Sequence, residues 1–306
     1  MPVTRRGFMQ GTVAAAALAG MGIAHPRAPK LTWILAADAF ANLNDPNLDG
    51  SPKVCRSAFN QGTTFFSVRY AGGKFATTPV PAGFTGTAVL KFEAYSNGST
   101  GLVDAINAGL PSWVQAVQYD PEEWAFTPQL EQGSFLFNSF TGLSYAQQFC
   151  ETAHQHGLRV LLTPGNDLCN RDPNPAYPNN APQYPIDAHD NGHDYNAYIR
   201  HNLASAAQFL SAGDVFQYQS QQLELDSTTF HNITFSVQKE VMKANPAVTF
   251  LAGLGRSIPP SDGASGGQLT AAATGVANIT SGFWLNVDSF TSQVKPMIET
   301  LKNLGF

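Results

Sequence analysis

The chain has 306 residues, a formal net charge of -5 and only 13% charged residues, with no run of Lys or Arg. That balance leaves no electrostatic footprint for nucleic acid, which is excluded as a partner. Three cysteines, Cys55, Cys150 and Cys169, are too few and too scattered for a disulfide framework or a zinc ribbon. One bridge with a thiol left over is the most the count allows, and three buried thiols fit it equally well. With 21 Phe against so few charges, either the core is rich in rings or a groove is lined with them.

In chain order, Thr4-Arg5-Arg6-Gly7-Phe8-Met9 is followed by an uncharged apolar stretch over residues 11–24, the n-region and h-region of a signal peptide. The paired arginines before Gly-Phe-Met resemble the pattern read by the twin-arginine export machinery, which moves folded proteins. The apolar part is shorter than the roughly 20 residues of a membrane span, so an anchor is the weaker alternative. Small residues at Gly22 and Ala24 suit cleavage after Ala24, with Ala28 as a rival. The expectation is a signal peptide over 1–28 and one domain over 29–306. The mature protein is then secreted or periplasmic and free of the membrane. The oligomeric state is not legible, and length alone does not choose between one large domain and two small ones.

Residues 33–37 read as a first strand. The stretch 39–81, dense in Asn, Asp, Gly and Pro, hides any first helix, and residues 64–70 within it are either a missing strand or part of an inserted ribbon. Further strands are predicted at 87–93, 114–119, 158–163, 214–221, 247–254 and 282–287. Helices are predicted between and after them at 102–110, 145–156, 195–211, 230–245, 268–279 and 290–304, the second ending at Gly157 as a C-cap. Long polar loops fall at 165–194 and 257–267. Strand and helix alternating in this way argue for parallel βαβ units and so for a (β/α)8 TIM-type barrel, irregular at its N-terminal units. An open doubly wound sheet is the alternative. Its nucleotide-binding form lacks the Gly-x-Gly-x-x-Gly after an early strand. There is no Walker loop, His-Glu-x-x-His or Gly-x-Ser-x-Gly elbow, and no cofactor is implied.

In such a barrel the reactive groups sit where strands end. Those ends carry Glu93 and Tyr95; Gln118, Asp120, Glu122, Glu123 and Trp124; Asn166 and Asp167; Gln219, Gln221 and Glu224; and Asn286. The period of two puts Gln118 with Asp120 on one strand face and Gln217, Gln219 and Gln221 on another, aimed at the polar mouth, where buried amides need partners. Glycosidic cleavage needs one carboxyl group to give a proton and another to stay ionised. Glu93 and Asp120 are the first candidate pair and Glu122 the reserve. Gln219 and Gln221 are candidate substrate orienters, Trp124 and Tyr95 candidate stacking surfaces, and Gln118, Asn166, Asp167, Glu224 and Asn286 further substrate contacts.

Plainer readings stand beside these. Asp120-Pro121-Glu122-Glu123 is also a helix start, with Asp120 as its N-cap. Glu93 has possible partners in Lys91 and Arg69, Glu224 and Asp226 suit a cap on the helix that follows, and Asn166 and Asp167 suit a turn. His189 and His193 flank Asp190 with a spacing that binds a divalent metal on a helix, but Gly192 and the surrounding Asn and Pro argue against a helix there, so no metal is expected. His154 and His156 sit near a helix C-terminus, where a His usually meets the dipole.

The run from Val117 to Trp124, then Thr127-Pro128, Ala153-His154, Gly157-Leu158 and Trp284-Leu285-Asn286 resembles secreted bacterial (β/α)8 proteins of the glycoside hydrolase kind. The resemblance spans most of the mature chain and implies a carbohydrate or other small polar substrate, without fixing a motif or a reaction. The function expected is hydrolysis of glycosidic bonds. The alternatives are a saccharide-binding barrel that cleaves nothing and a metal-dependent lyase or hydrolase built on His189 and His193.

Overall fold

The computed structural model describes residues 30–44, 58–59, 62–71, 74–75, 80–122, 125–133, 135–136, 144–165, 168, 197–200, 202–221, 223–255, 264–286 and 291–306. The leader, Cys55, Cys169, Glu123, Trp124, Asn166, Asp167, His189 and His193 lie outside them.

Strands β1 (Thr32–Ala36), β2 (Thr64–Ala71), β4 (Thr87–Phe92), β5 (Ala116–Tyr119), β6 (Arg159–Leu162), β7 (Val215–Tyr218), β8 (Thr249–Gly255) and β9 (Gly282–Asn286) pair in parallel, each with the next. The circle shuts because β1 lies between β9 and β2, with Thr32 opposite Gly282 and Trp33 opposite Thr64. This is a closed eight-stranded (β/α)8 barrel, which leaves no barrel strand with an open edge. The two-residue β3 (Lys74–Phe75) adds an antiparallel ribbon at the end of β2. Residues 64–70 are therefore the eighth barrel strand, hidden in the sequence by the glycine- and asparagine-rich segments around it.

The helices are α1 (Ala37–Asn44), α2 (Leu102–Ala108), α3 (Gln129–Gly133), α4 (Tyr145–Gln155), α5 (Ala197–Arg200), α6 (Ser227–Ala244), α7 (Gly266–Val276) and α8 (Thr291–Asn303). Ser144 caps α4 by accepting the Gln147 N–H at 3.0 Å, and Asp226 caps α6 by accepting from Thr228 and Thr229. The single helix expected over 195–211 is not formed. After α5, Asn202 takes a left-handed φ of 60°, and the chain resumes as a 3-10 turn, Leu203–Phe209. Nor does a helix start at Asp120. Its N–H bonds Phe92 O at 2.8 Å, and Pro121 O accepts the Gly165 N–H at 2.8 Å, so the extended ladder runs on past β5.

The period of two divides every barrel strand between an outer face and a lumen. Outward residues such as Phe66, Phe92, Tyr119, Leu162, Phe216 and Phe283 pack under the helices, where Tyr119 stacks on Phe149 at 4.4 Å between ring centroids. Inward, one residue from each barrel strand forms an apolar floor: Ile34, Phe65, Val89, Ala116, Leu161, Val215, Leu251 and Trp284. Below it, at the N-terminal ends of the strands, His154 Nε2 lies 2.7 Å from Asp214 Oδ2, and Asp214 also accepts the Val160 and Ser211 N–H groups. His154 thus meets a carboxylate rather than carbonyls at its helix end. Cys150, a free thiol on the buried face of α4, is pushed well above the usual thiol range by burial. No helix among the described residues is long and apolar enough to cross a membrane.

Candidate active site at the barrel mouth

Above the floor the inward positions turn polar. Ser67 and Arg69 continue the line of Phe65, Lys91 and Glu93 that of Val89, Gln118 and Asp120 that of Ala116, Thr163 that of Leu161, and Gln217 and Gln219 that of Val215. Buried polar groups must be satisfied, and these satisfy one another. Ser67 donates to Gln118 Oε1 at 2.7 Å, and Gln118 Nε2 donates to the Thr163 hydroxyl at 3.1 Å. That hydroxyl lies 2.7 Å from Asp120 Oδ1.

Asp120 is fully buried, and its other oxygen meets Lys91 Nζ at 2.7 Å. The same ammonium lies 3.7 Å from Glu93 Oε1, and Glu93 Oε2 takes a 2.6 Å bond from Arg69. Burial works against the charge on Lys91, but Asp120, Glu93 and Glu122 around it hold the ammonium above the usual lysine range. A lysine so held is no nucleophile at neutral pH. Burial also lifts Glu93, against the pull of Lys91 and Arg69. The two carboxylates of the first candidate pair are thus brought together, but across a cation.

Asp120 and Glu122 meet differently. Gln219 Nε2 donates to both, at 3.0 Å to Asp120 Oδ1 and 3.2 Å to Glu122 Oε1, with the Thr163 carbonyl at 2.9 Å. Glu122 is half-buried, so it faces the opening while Asp120 lies beneath. Across the mouth, β8 carries glycine at both upper inward positions. A Cβ on Gly253 would come within 2.7 Å of Gln221 Oε1, and one on Gly255 within 2.9 Å of Gln221 Cγ, so the missing side chains make the room Gln221 occupies. Asn286, opposite Gly255 in the ladder, is half-buried at the same rim.

Two candidates are turned elsewhere. Tyr95 packs on the outer cluster, its hydroxyl 3.2 Å from Thr152 Oγ1 and its ring 6.1 Å from Tyr145. Glu224 is fully buried and accepts the Gly255 N–H at 2.6 Å, pinning the end of β8. Three contributors went unread in the sequence. Thr163 carries the inward parity of Leu161 and was open to the period-of-two argument. Phe126, 54% exposed, has the Arg69 guanidinium 4.4 Å above its ring and puts an aromatic surface beside Glu93.

Glu131, 1% exposed on α3, is the third. Burial pushes its titration up from 4.5 to about 7, although the Tyr95, Ser96 and Tyr119 donors around it pull the other way. A carboxyl group whose titration folding raises contributes stability that is complete below the unfolded value and is lost as the pH climbs through the folded one. Urea unfolding should therefore show stability falling by about 3 kcal/mol between the two values, and Glu131→Gln should remove that slope.

No protein-family model matches this chain, and none of the curated proteins does. Among solved structures it is similar to bee venom hyaluronidase, with a TM-score of 0.36 and 10% identity over 66% of this chain and 74% of that one. The likeness is one of fold, distant, and assigns no family.

Proposed function

We propose that the chain is an exported hydrolase of glycosidic bonds, with Glu122 as the group that gives the leaving oxygen its proton. Asp120 beneath it supplies a fixed negative charge for the positive character that develops at the sugar carbon. The observation that carries the reading is the shared amide of Gln219, which sets Asp120 and Glu122 side by side in a polar mouth over a closed apolar floor. Lys91 Nζ meets one oxygen of Asp120 and the Thr163 hydroxyl donates to the other, so both are held in place. Glu93, bonded to Arg69 and facing Lys91, holds those cations in place in this reading, and Gln221, Asn286 and Phe126 face the sugar.

The test is release of reducing ends from a panel of polysaccharides, with and without chelator. Glu122→Gln should lower kcat by about 10²-fold or more while leaving the bound glycan's affinity nearly unchanged. Glycan bound but never cleaved favours the second reading, a saccharide-binding barrel. That reading draws on the cations beside Asp120 and Glu93 and on the complete burial of Asp120. Activity lost to chelator points instead to His189 and His193. A chain that neither binds nor cleaves any glycan ends the proposal.

A further inference from the structure

The segment after Glu122 is bonded to two rim loops at once. Thr127 Oγ1 accepts the backbone N–H of Glu122 at 3.2 Å, and the Thr127 carbonyl accepts from Gln132 Nε2 at 2.7 Å. Four residues beyond Thr127, Glu131 reaches the loop that follows Glu93. Its carboxylate accepts the Tyr95 N–H at 2.6 Å and the Ser96 N–H at 3.0 Å, and the Tyr119 hydroxyl donates to it at 2.8 Å. One short piece of chain, residues 127–132, therefore fixes the backbone beside both acidic strand ends.

The three groups that meet the Glu131 carboxylate, the Tyr95 and Ser96 N–H groups and the Tyr119 hydroxyl, are all donors, two of them backbone amides that have no freedom to become acceptors. A carboxylate offers lone pairs on both oxygens; a glutamine in its place would turn an NH2 toward an N–H. A carboxylate almost wholly removed from water is costly unless its contacts require it. The requirement here is the turn after β4, whose Tyr95 and Ser96 N–H groups both take this carboxylate as their acceptor.

We propose that Glu131 is a positioning residue: its ionised carboxylate holds the loop after β4 against the Glu122 rim, and uptake of a proton loosens that loop. The titratable groups that face it are Asp104 on α2, Tyr95 on the loop itself, Tyr119 on β5 and Tyr145 on α4. With Asp104 adding negative charge and burial opposing ionisation, both forms of Glu131 are populated near neutral pH. An ionised acceptor makes hydrogen bonds roughly twice as strong as a neutral one, so the two forms differ in how firmly they grip Tyr95 and Ser96.

Amide spectra of the ¹⁵N-labelled full chain, followed across the neutral range, read this directly. The Tyr95 and Ser96 resonances should move together with a midpoint near 7, and Glu131→Gln should abolish the movement. Tyr119→Phe keeps both amide bonds and removes one donor to the carboxylate, so it should shift the midpoint upward even if Glu131→Gln folds poorly. Amides that do not titrate, or a midpoint indifferent to Tyr119→Phe, overturn the proposal.

The catalytic consequence rests on the function proposed above. On a glycan the chain cleaves, kcat/KM should climb through the same midpoint, and Glu131→Gln should flatten the climb. A purely structural loss would lower the whole profile without changing its shape. If no glycan is cleaved, the hydrolase reading fails, while the amide titration still decides the role of Glu131.

Discussion

Lys91→Met should lower the free energy of unfolding by about 3–5 kcal/mol at neutral pH, the range found when one partner of a buried ion pair is removed. The side chain of Asp120 is 1% exposed and that of Glu93 7%, so neither recovers its lost partner from water. The sign with pH follows. Without the ammonium, Glu93, whose titration burial already raises, loses one of the charges pulling it down and moves further up. The variant keeps its stability below about pH 4 and loses it as the pH climbs through the new range. Urea unfolding at several pH values should show the deficit shrinking toward acid, and Asp120→Asn on top of Lys91→Met should restore part of it. A deficit that is small and independent of pH would mean that the cation is not what holds the mouth together.

Gly282→Ala should cost as much or more, for a reason that involves no charge. Gly282 opens β9 at the seam with β1, at a φ of 154°. A Cβ there would lie 1.8 Å from the carbonyl oxygen of Thr32 and 2.5 Å from its nitrogen. Both obstacles are backbone and cannot swing aside as a side chain tip does. A loss of about 4 kcal/mol or more is expected, with the transition broadened if the seam opens before the rest. Gly275→Ala is the control. Its Cβ meets nothing within 4 Å, and it lies inside α7, so that change should stabilise by about 0.5–1 kcal/mol. Equal effects at the two glycines would refute the steric account.

Seven of the eight barrel strands were legible because a strand covered by helices reads as a compact apolar run, as in Val160-Leu161-Leu162. The eighth carries the same pattern in Thr64-Phe65-Phe66-Ser67-Val68, but its flanks break the alternation from which neighbouring units are recognised. Glutamine parity placed Gln118, Gln217 and Gln219 in the lumen because a period of two needs no knowledge of the partner strands. The pairing of Glu93 with Lys91 and Arg69 was also legible. Its burial was not, since that depends on Val89 marking the same face as inward. Glu131 left no mark at all. It stands on a short helix after a proline, and the donors it serves, Tyr95 and Ser96, lie 36 and 35 residues away. The broken helix at Asn202 was missed because an asparagine inside an amphipathic pattern gives no warning that it will turn left-handed.

The floor of Ile34, Phe65, Val89, Ala116, Leu161, Val215, Leu251 and Trp284 also governs traffic. A polymer cannot be reeled through a cylinder stoppered by eight packed side chains, so whatever enters leaves by the same door. On the function proposed above, a long glycan would drape across the rim or offer one of its tips, and cleaved fragments would back out before the next arrived.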